Sequence, residues 1–262
     1  MRPEVEVLRL TFKGDINENE IERRKVSSSV WKNLYILTEM GKSNHDYVLI
    51  KKNKQDFFLT FSELLKVGND EYVLYFMTPY EKARIDIIRA MARGLRIGKK
   101  KVKLESVDFI RYDLKKSNYY VTLSPIIVTR NGKYYLPPEI DFFKNLLGYL
   151  EIKYQIHSNG KKINLKKDNF KIDPSFTKYV KIDFQKSVIY GTHMGFKLRI
   201  SANYLEAVST LIQLGFGTKT GMGYGFIMPK SVVKKEEIEF TVNHPVYWHR
   251  QKHNEVVNSI VG

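Results

Sequence analysis

The chain has 262 residues, 43% hydrophobic and 27% charged, a balance that excludes an intrinsically disordered protein and fits one large or two small globular domains. Its 44 Lys and Arg against 28 Asp and Glu give a formal charge of +16, spread through both halves, which suits a polyanionic partner, nucleic acid ahead of an anionic membrane. The absence of cysteine excludes disulfides, iron–sulfur clusters and thiolate zinc sites, and with no export leader or membrane-length apolar run the expected location is the cytoplasm.

"VEVLRLTF" (Val5 to Phe12) alternates apolar and polar residues and reads as a strand. "SSSVWKNLYILTEMG" follows as a helix, with Ser27 to Ser29 as its N-cap, Val30, Leu34, Leu37 and Met40 at helical spacing, and Gly41 as its stop. "FFLTF" and "EYVLYFMT" are strands separated by a Gly68-Asn69-Asp70 turn. "PYEKARIDIIRAMARG" is a helix opened by Pro79 and ended by Gly94, and "VKLESVDFI" closes the unit as a strand. The order strand, helix, strand, strand, helix, strand is the ferredoxin-like split βαβ unit.

The second half repeats it. "NYYVTLSPIIVT" is a strand, and "PPEIDFFKNLLGYLEIKYQIH" a helix opened by Pro137 and Pro138. "YVKIDF" and "FKLRIS" are strands, "ANYLEAVSTLIQLG" a helix and "GYGFIMP" the closing strand. The chain therefore reads as α+β, two tandem ferredoxin-like (RRM-like) βαββαβ domains over 1–117 and 118–230, with an extension over 231–262.

In both halves a glycine-containing basic loop follows the second helix. In the first it is "RGLRIGKKKVKL", within a run rich in Arg and Lys that includes Arg93, Arg96, Lys99, Lys100 and Lys101; this is either a solvated face or a phosphate-binding one. In the second it is "GFGTKTGMGYGF", with Gly215, Gly217, Gly223 and Gly225 framing a five-residue spacer that contains Lys219. The Rossmann and P-loop fingerprints do not fit, because this loop follows a helix, precedes a strand and lacks the required spacing. Two readings stay open for it: a tight helix-to-strand connection, or a cradle whose amides face phosphate while Phe216 and Tyr224 either pack beneath it or stack on a base.

That glycine pattern, at the C-terminal end of a two-copy ferredoxin-like chain, together with "YVTLSPIIVT" followed by "YLPP" and with "FFLTFSELL", resembles the RAMP-superfamily endoribonuclease that cuts CRISPR precursor RNA within its repeats. The resemblance implies metal-independent cleavage, in which the RNA 2′-hydroxyl attacks the adjacent phosphate and leaves a 2′,3′-cyclic phosphate and a 5′-hydroxyl. It implies a histidine just after the first helix, a tyrosine on that helix and a lysine before the next strand. His45 in "GKSNHDY", Tyr35, and Lys51, Lys52 or Lys54 in "IKKNKQDFF" take those places, and Gly215, Gly217, Lys219, Gly223, Gly225 and the basic run contact RNA. The Tyr35-to-His45 interval is short for the pattern and Asn44 replaces its usual leucine, so a non-catalytic RNA-binding protein of the same fold remains an alternative, as does a general RNA-binding protein. The partner implied is CRISPR repeat RNA, with a homodimer or docking into a CRISPR effector complex left open; no cofactor, metal or membrane is expected. His157, His193, His244, His249 and His253 are expected to be incidental, and Glu236 and Glu237 solvated.

Overall fold

The computed structural model describes residues 4–16, 21, 23–46, 58–184 and 187–243. The first unit runs β1 (Glu4–Lys13), α1 (Arg23–Glu39), β2 (Thr60–Phe61), β3 (Leu65–Lys66), β4 (Glu71–Met77), α2 (Glu81–Met91), β5 (Leu95–Ile97) and β6 (Lys100–Asp113). Its antiparallel sheet has the order β2-β4-β1-β6-β5, with β3 also paired to β4.

Successive side chains of a strand point to opposite faces, and here both faces are apolar. Leu8, Leu10 and Phe12 of β1, with Tyr72, Leu74 and Phe76 of β4, pack among α1 and α2 residues such as Val30, Leu34 and Ile87. Val5, Val7, Val73, Tyr75 and Met77 point the other way, into a core shared with Val208, Leu211 and Ile212 of the second half. A strand buried on both faces reads as a nearly unbroken apolar run, which is the pattern of "EYVLYFM".

The second unit runs β7 (Tyr119–Thr122), β8 (Thr129–Arg130), β9 (Lys133–Tyr134), α3 (Ile140–His157), β10 (Phe170–Phe184), β11 (Ser187–Leu198), α4 (Leu205–Leu214) and β12 (Ile227–Pro229). Its sheet order is β10-β11-β7-β12. In each sheet the unit's first strand lies between its third and last core strands, so both are ferredoxin-like. Helix α4 contacts β1 and β4 and covers the open face of the first sheet.

Several elements differ from the sequence reading. Helix α1 begins at Arg23, so Ser27 to Ser29 are inside it rather than capping it; Ser29 Oγ instead accepts the Arg96 amide at 2.7 Å. The basic stretch after α2 is a β-hairpin rather than a loop, with Ile97 paired to Lys100 and Gly98 at φ +61° in the tight turn. The two strands expected over Tyr179–Phe184 and Phe196–Ser201 are arms of one long hairpin, β10–β11, with a register shift between Asp173 and Lys178.

The extension folds back. Helix α5 (Lys235–Asn243) packs on β3, and Glu237, expected in solvent, is fully buried. Its carboxylate accepts the Tyr75 hydroxyl at 2.9 Å and the Lys234 amide at 3.1 Å, with Arg9 Nη2 at 3.6 Å. Burial, reinforced by the Glu237 charge, pushes the Tyr75 hydroxyl far above the ordinary tyrosine range. Among the described residues no helix is long and apolar enough to cross a membrane.

Candidate functional site

Helix α1 buries Val30, Leu34 and Leu37, which leaves Arg24, Lys32 and part of Tyr35 on its outer side. The β5–β6 hairpin is fixed alongside by two bonds from α1: the one from Ser29 to the Arg96 amide, and Asn33 Nδ2 to the Gly94 carbonyl at 2.7 Å. Between α1, this hairpin and the crown of the glycine loop at Gly221 and Met222 lies a groove of about 1440 Å³. Among the described residues, six that line it are Arg or Lys (Arg24, Lys25, Lys32, Arg93, Arg96, Lys101) and none is Asp or Glu. Uniform charge in a concave surface focuses the field on a polyanion.

The glycine loop is folded inward. Phe216 and Tyr224 are buried; the Phe216 ring stacks 6.1 Å from that of Phe196, while Tyr224 packs with Ile127, Val180 and Ile189. Both aromatics therefore pack beneath the loop. The Phe216 amide bonds the Gly225 carbonyl and the Gly225 amide bonds Pro125, each at 2.8 Å. Gly225 has φ +73°, and a Cβ there would lie 1.7 Å from the Phe216 carbonyl oxygen, so close backbone approach requires glycine. Gly215, Gly217 and Gly223 share the positive φ, and Lys219 is half-buried at the crown.

Lys153, which sequence reading passed over, is buried on α3 and points its ammonium at this loop. It donates to Gly215 O and Thr220 Oγ1 at 3.0 Å and to Leu214 O at 3.3 Å. A cation there also meets the negative end of α4. Its sequence signal is phase: Lys153 falls on the buried stripe that carries Phe143, Leu146 and Leu150.

His45 lies elsewhere. The "GKSNH" turn is held by Asp86, which is fully buried on α2 among Ala83, Ile87 and Ala90. Its carboxylate accepts Ser43 Oγ at 2.9 Å, the Asn44 amide at 2.8 Å and Asn44 Nδ2 at 2.7 Å. Thr38 Oγ1 donates to the His45 carbonyl, the His45 amide donates to Ser43 Oγ at 3.1 Å, and the imidazole sits 4.8 Å from the Phe58 ring. Burial, assisted by Lys82, lowers the His45 pKa from 6.5 against the opposing pull of Asp86. Asp86, a lone carboxylate on an apolar stripe, was equally legible by phase and equally passed over.

The sequence-derived residues thus divide. Tyr35, Arg93, Arg96 and Lys101 share the groove, which also gains Arg24 and Lys25 from the "ERRK" run and Lys32 from further along α1. Lys99 is exposed at the hairpin turn, and Lys100 is taken up by Asp15 at 2.8 Å. His45 is not among the groove's lining residues. Lys51, Lys52 and Lys54 lie outside the described residues, as do His244, His249 and His253. His157 and His193 make contacts within the fold: His157 Nδ1 is 2.7 Å from the Tyr80 hydroxyl, whose ring meets Phe58, and His193 is buried beside Thr122 and Glu63. Burial raises the Tyr35 pKa, so its hydroxyl keeps its proton at neutral pH.

Residues 105–229 match the family model described as CRISPR associated protein Cas6, C-terminal. No curated protein sequence matches the chain. A solved structure described as CRISPR associated protein Cas6 is similar at 21% identity and TM-score 0.65, covering 86% of this chain and 99% of its own. One described as a RAMP protein binding different RNA substrates gives 20% identity and TM-score 0.67, covering 86% and 99%. The product of a Cas6-related gene from Pyrococcus furiosus gives 16% and 0.66, covering 88% and 99%. The chain therefore shares the fold of these structures along most of its length, and its residues 105–229 match the Cas6 C-terminal family model.

Proposed function

We propose that this chain binds CRISPR repeat RNA in the groove between α1, the β5–β6 hairpin and the glycine loop, and cleaves it as a metal-independent endoribonuclease. The observation that carries the reading is a groove lined, among the described residues, by six Arg and Lys and no carboxylate, bordered by the glycine loop of the segment that matches the Cas6 C-terminal model. The similar structures include a Cas6 product complex from Thermus thermophilus at 18% identity and TM-score 0.59, covering 86% of this chain and 98% of its own.

Cleavage by 2′-hydroxyl attack requires a proton acceptor at O2′, a proton donor at the leaving 5′-oxygen and positive charge at the phosphorane. His45, whose lowered pKa keeps its imidazole in the neutral, accepting form at pH 7, takes the O2′ proton, and the imidazolium so formed gives it to the leaving 5′-oxygen. Tyr35, protonated, donates a hydrogen bond, and a lysine among Lys51, Lys52 and Lys54 supplies charge. The chain divides functionally at 117/118, His45 belonging to the first unit and the glycine loop to the second.

A second reading, binding without cleavage, draws support from the position of His45 outside the groove's lining. Incubating repeat RNA with the protein in EDTA separates the two. A single cut per repeat with cyclic-phosphate and 5′-hydroxyl ends supports the nuclease, and tightly bound intact RNA supports the binding protein.

A further inference from the structure

The crown of the glycine loop is attached to the first unit as well as to the second. Trp31 on α1 donates its indole N–H to the Gly221 carbonyl at 2.6 Å, a buried bond across the seam between units. Thr60 Oγ1 on β2 reaches the Tyr224 carbonyl at 3.4 Å. From the opposite side Lys153 draws the carbonyls of Leu214 and Gly215 together. The Trp31 ring lies 5.9 Å from that of Tyr35, one helical turn on, and Trp31, Tyr35 and Gly221 line the same groove.

These attachments do more than fill space. Burying an ammonium carries a desolvation cost that an apolar side chain of the same size would not. In return, a cation holding several carbonyls restricts a loop whose glycines would otherwise sample many conformations. The Trp31 N–H then ties the restricted crown directly to α1.

We propose that Trp31 is a positioning residue that holds the Tyr35 face of α1 in register with the glycine loop, with Lys153 as the fixed anchor behind it. An RNA phosphate seated at the loop then meets the side chains of α1 at a set distance. The proposal rests on the reading that the groove holds RNA and that α1 contributes to its cleavage.

Trp31→Phe keeps an aromatic ring at the position but removes the donor together with the pyrrole half of the indole. At saturating enzyme, single-turnover cleavage of repeat RNA is expected to fall about tenfold or more while the Kd stays within about threefold of the parent. A rate within about twofold of the parent, or a Kd that rises as far as the rate falls, would overturn the proposal. A second readout does not depend on cutting. The chain has two tryptophans, so in a Trp248→Phe background Trp31 reports alone, and saturating RNA is expected to shift or quench its emission. Unchanged emission on a protein that has bound RNA refutes the coupling. Changed emission without any cleavage by the parent keeps the coupling and removes the nuclease reading.

Discussion

Asp86 illustrates how one side chain sets the candidate chemistry. Its carboxylate holds Ser43 and Asn44 and so fixes the turn that ends in His45. Replacing it with Ala leaves those donors unmatched and is expected to cost about 2–4 kcal/mol in urea unfolding, with loss of any cleavage. For His45 the sign is set by burial, which disfavours the imidazolium and moves the titration below 6.5. The acid limb of the cleavage rate should therefore lie below the ordinary imidazole value, and His45→Ala should abolish cutting with Kd changed only a few-fold. A limb at or above the ordinary value would contradict a buried His45 as the proton acceptor. The same lowered pKa makes a contribution to stability that is present above the unfolded-state value and lost as pH falls towards the folded one. The position of His45 just after the first helix was legible in the sequence, and its role is what the resemblance implies. Asp86 and Lys153 were not marked by any motif, since a single charge on an apolar stripe is visible only when helical phase is followed residue by residue.

At the scale of elements, the glycine loop and the β5–β6 hairpin share one groove although 123 residues separate their crowns at Gly221 and Gly98. The sequence placed both after second helices in their units, and that equivalence is what made them candidates. It could not show that the loop's aromatic residues pack inward, because Phe216 and Tyr224 suit a core and a stacking platform equally well. Gly225→Ala puts a Cβ against the Phe216 carbonyl at a positive φ, so the loop cannot close; a loss of about 3 kcal/mol or more is expected in thermal unfolding, with weakened RNA affinity. Neutralising Arg93, Arg96 or Lys101 should each reduce the slope of log Kobs against log salt by about 0.7–0.9 if each meets one phosphate. Lys100→Gln should change it less, because that ammonium is already engaged by Asp15. An equal effect of all four would show a diffuse surface potential rather than contacts in the groove.

Across the whole molecule, the two ferredoxin-like units are not beads on a string. One face of the first sheet shares its core with α4 of the second, and α5 returns to seal Glu237 against Tyr75 and Arg9. The element order was readable because each unit repeats the same periodicities. The docking was not, because an apolar strand declares that both faces are covered without naming the cover. Glu237→Ala leaves the buried Tyr75 hydroxyl without its acceptor and takes one carboxylate from Arg9, which keeps Thr11 and Asp108, and is expected to lower stability by about 3 kcal/mol, with both units unfolding in one transition by circular dichroism and tryptophan emission. Two separated transitions would contradict the shared core. The central claim, that the basic groove of this Cas6 fold presents repeat RNA for cleavage, is tested most directly by mapping the products of repeat RNA incubated with the intact chain in EDTA. One cut per repeat, leaving a 2′,3′-cyclic phosphate and a 5′-hydroxyl, is the expected result; RNA recovered whole from a saturated complex would contradict it.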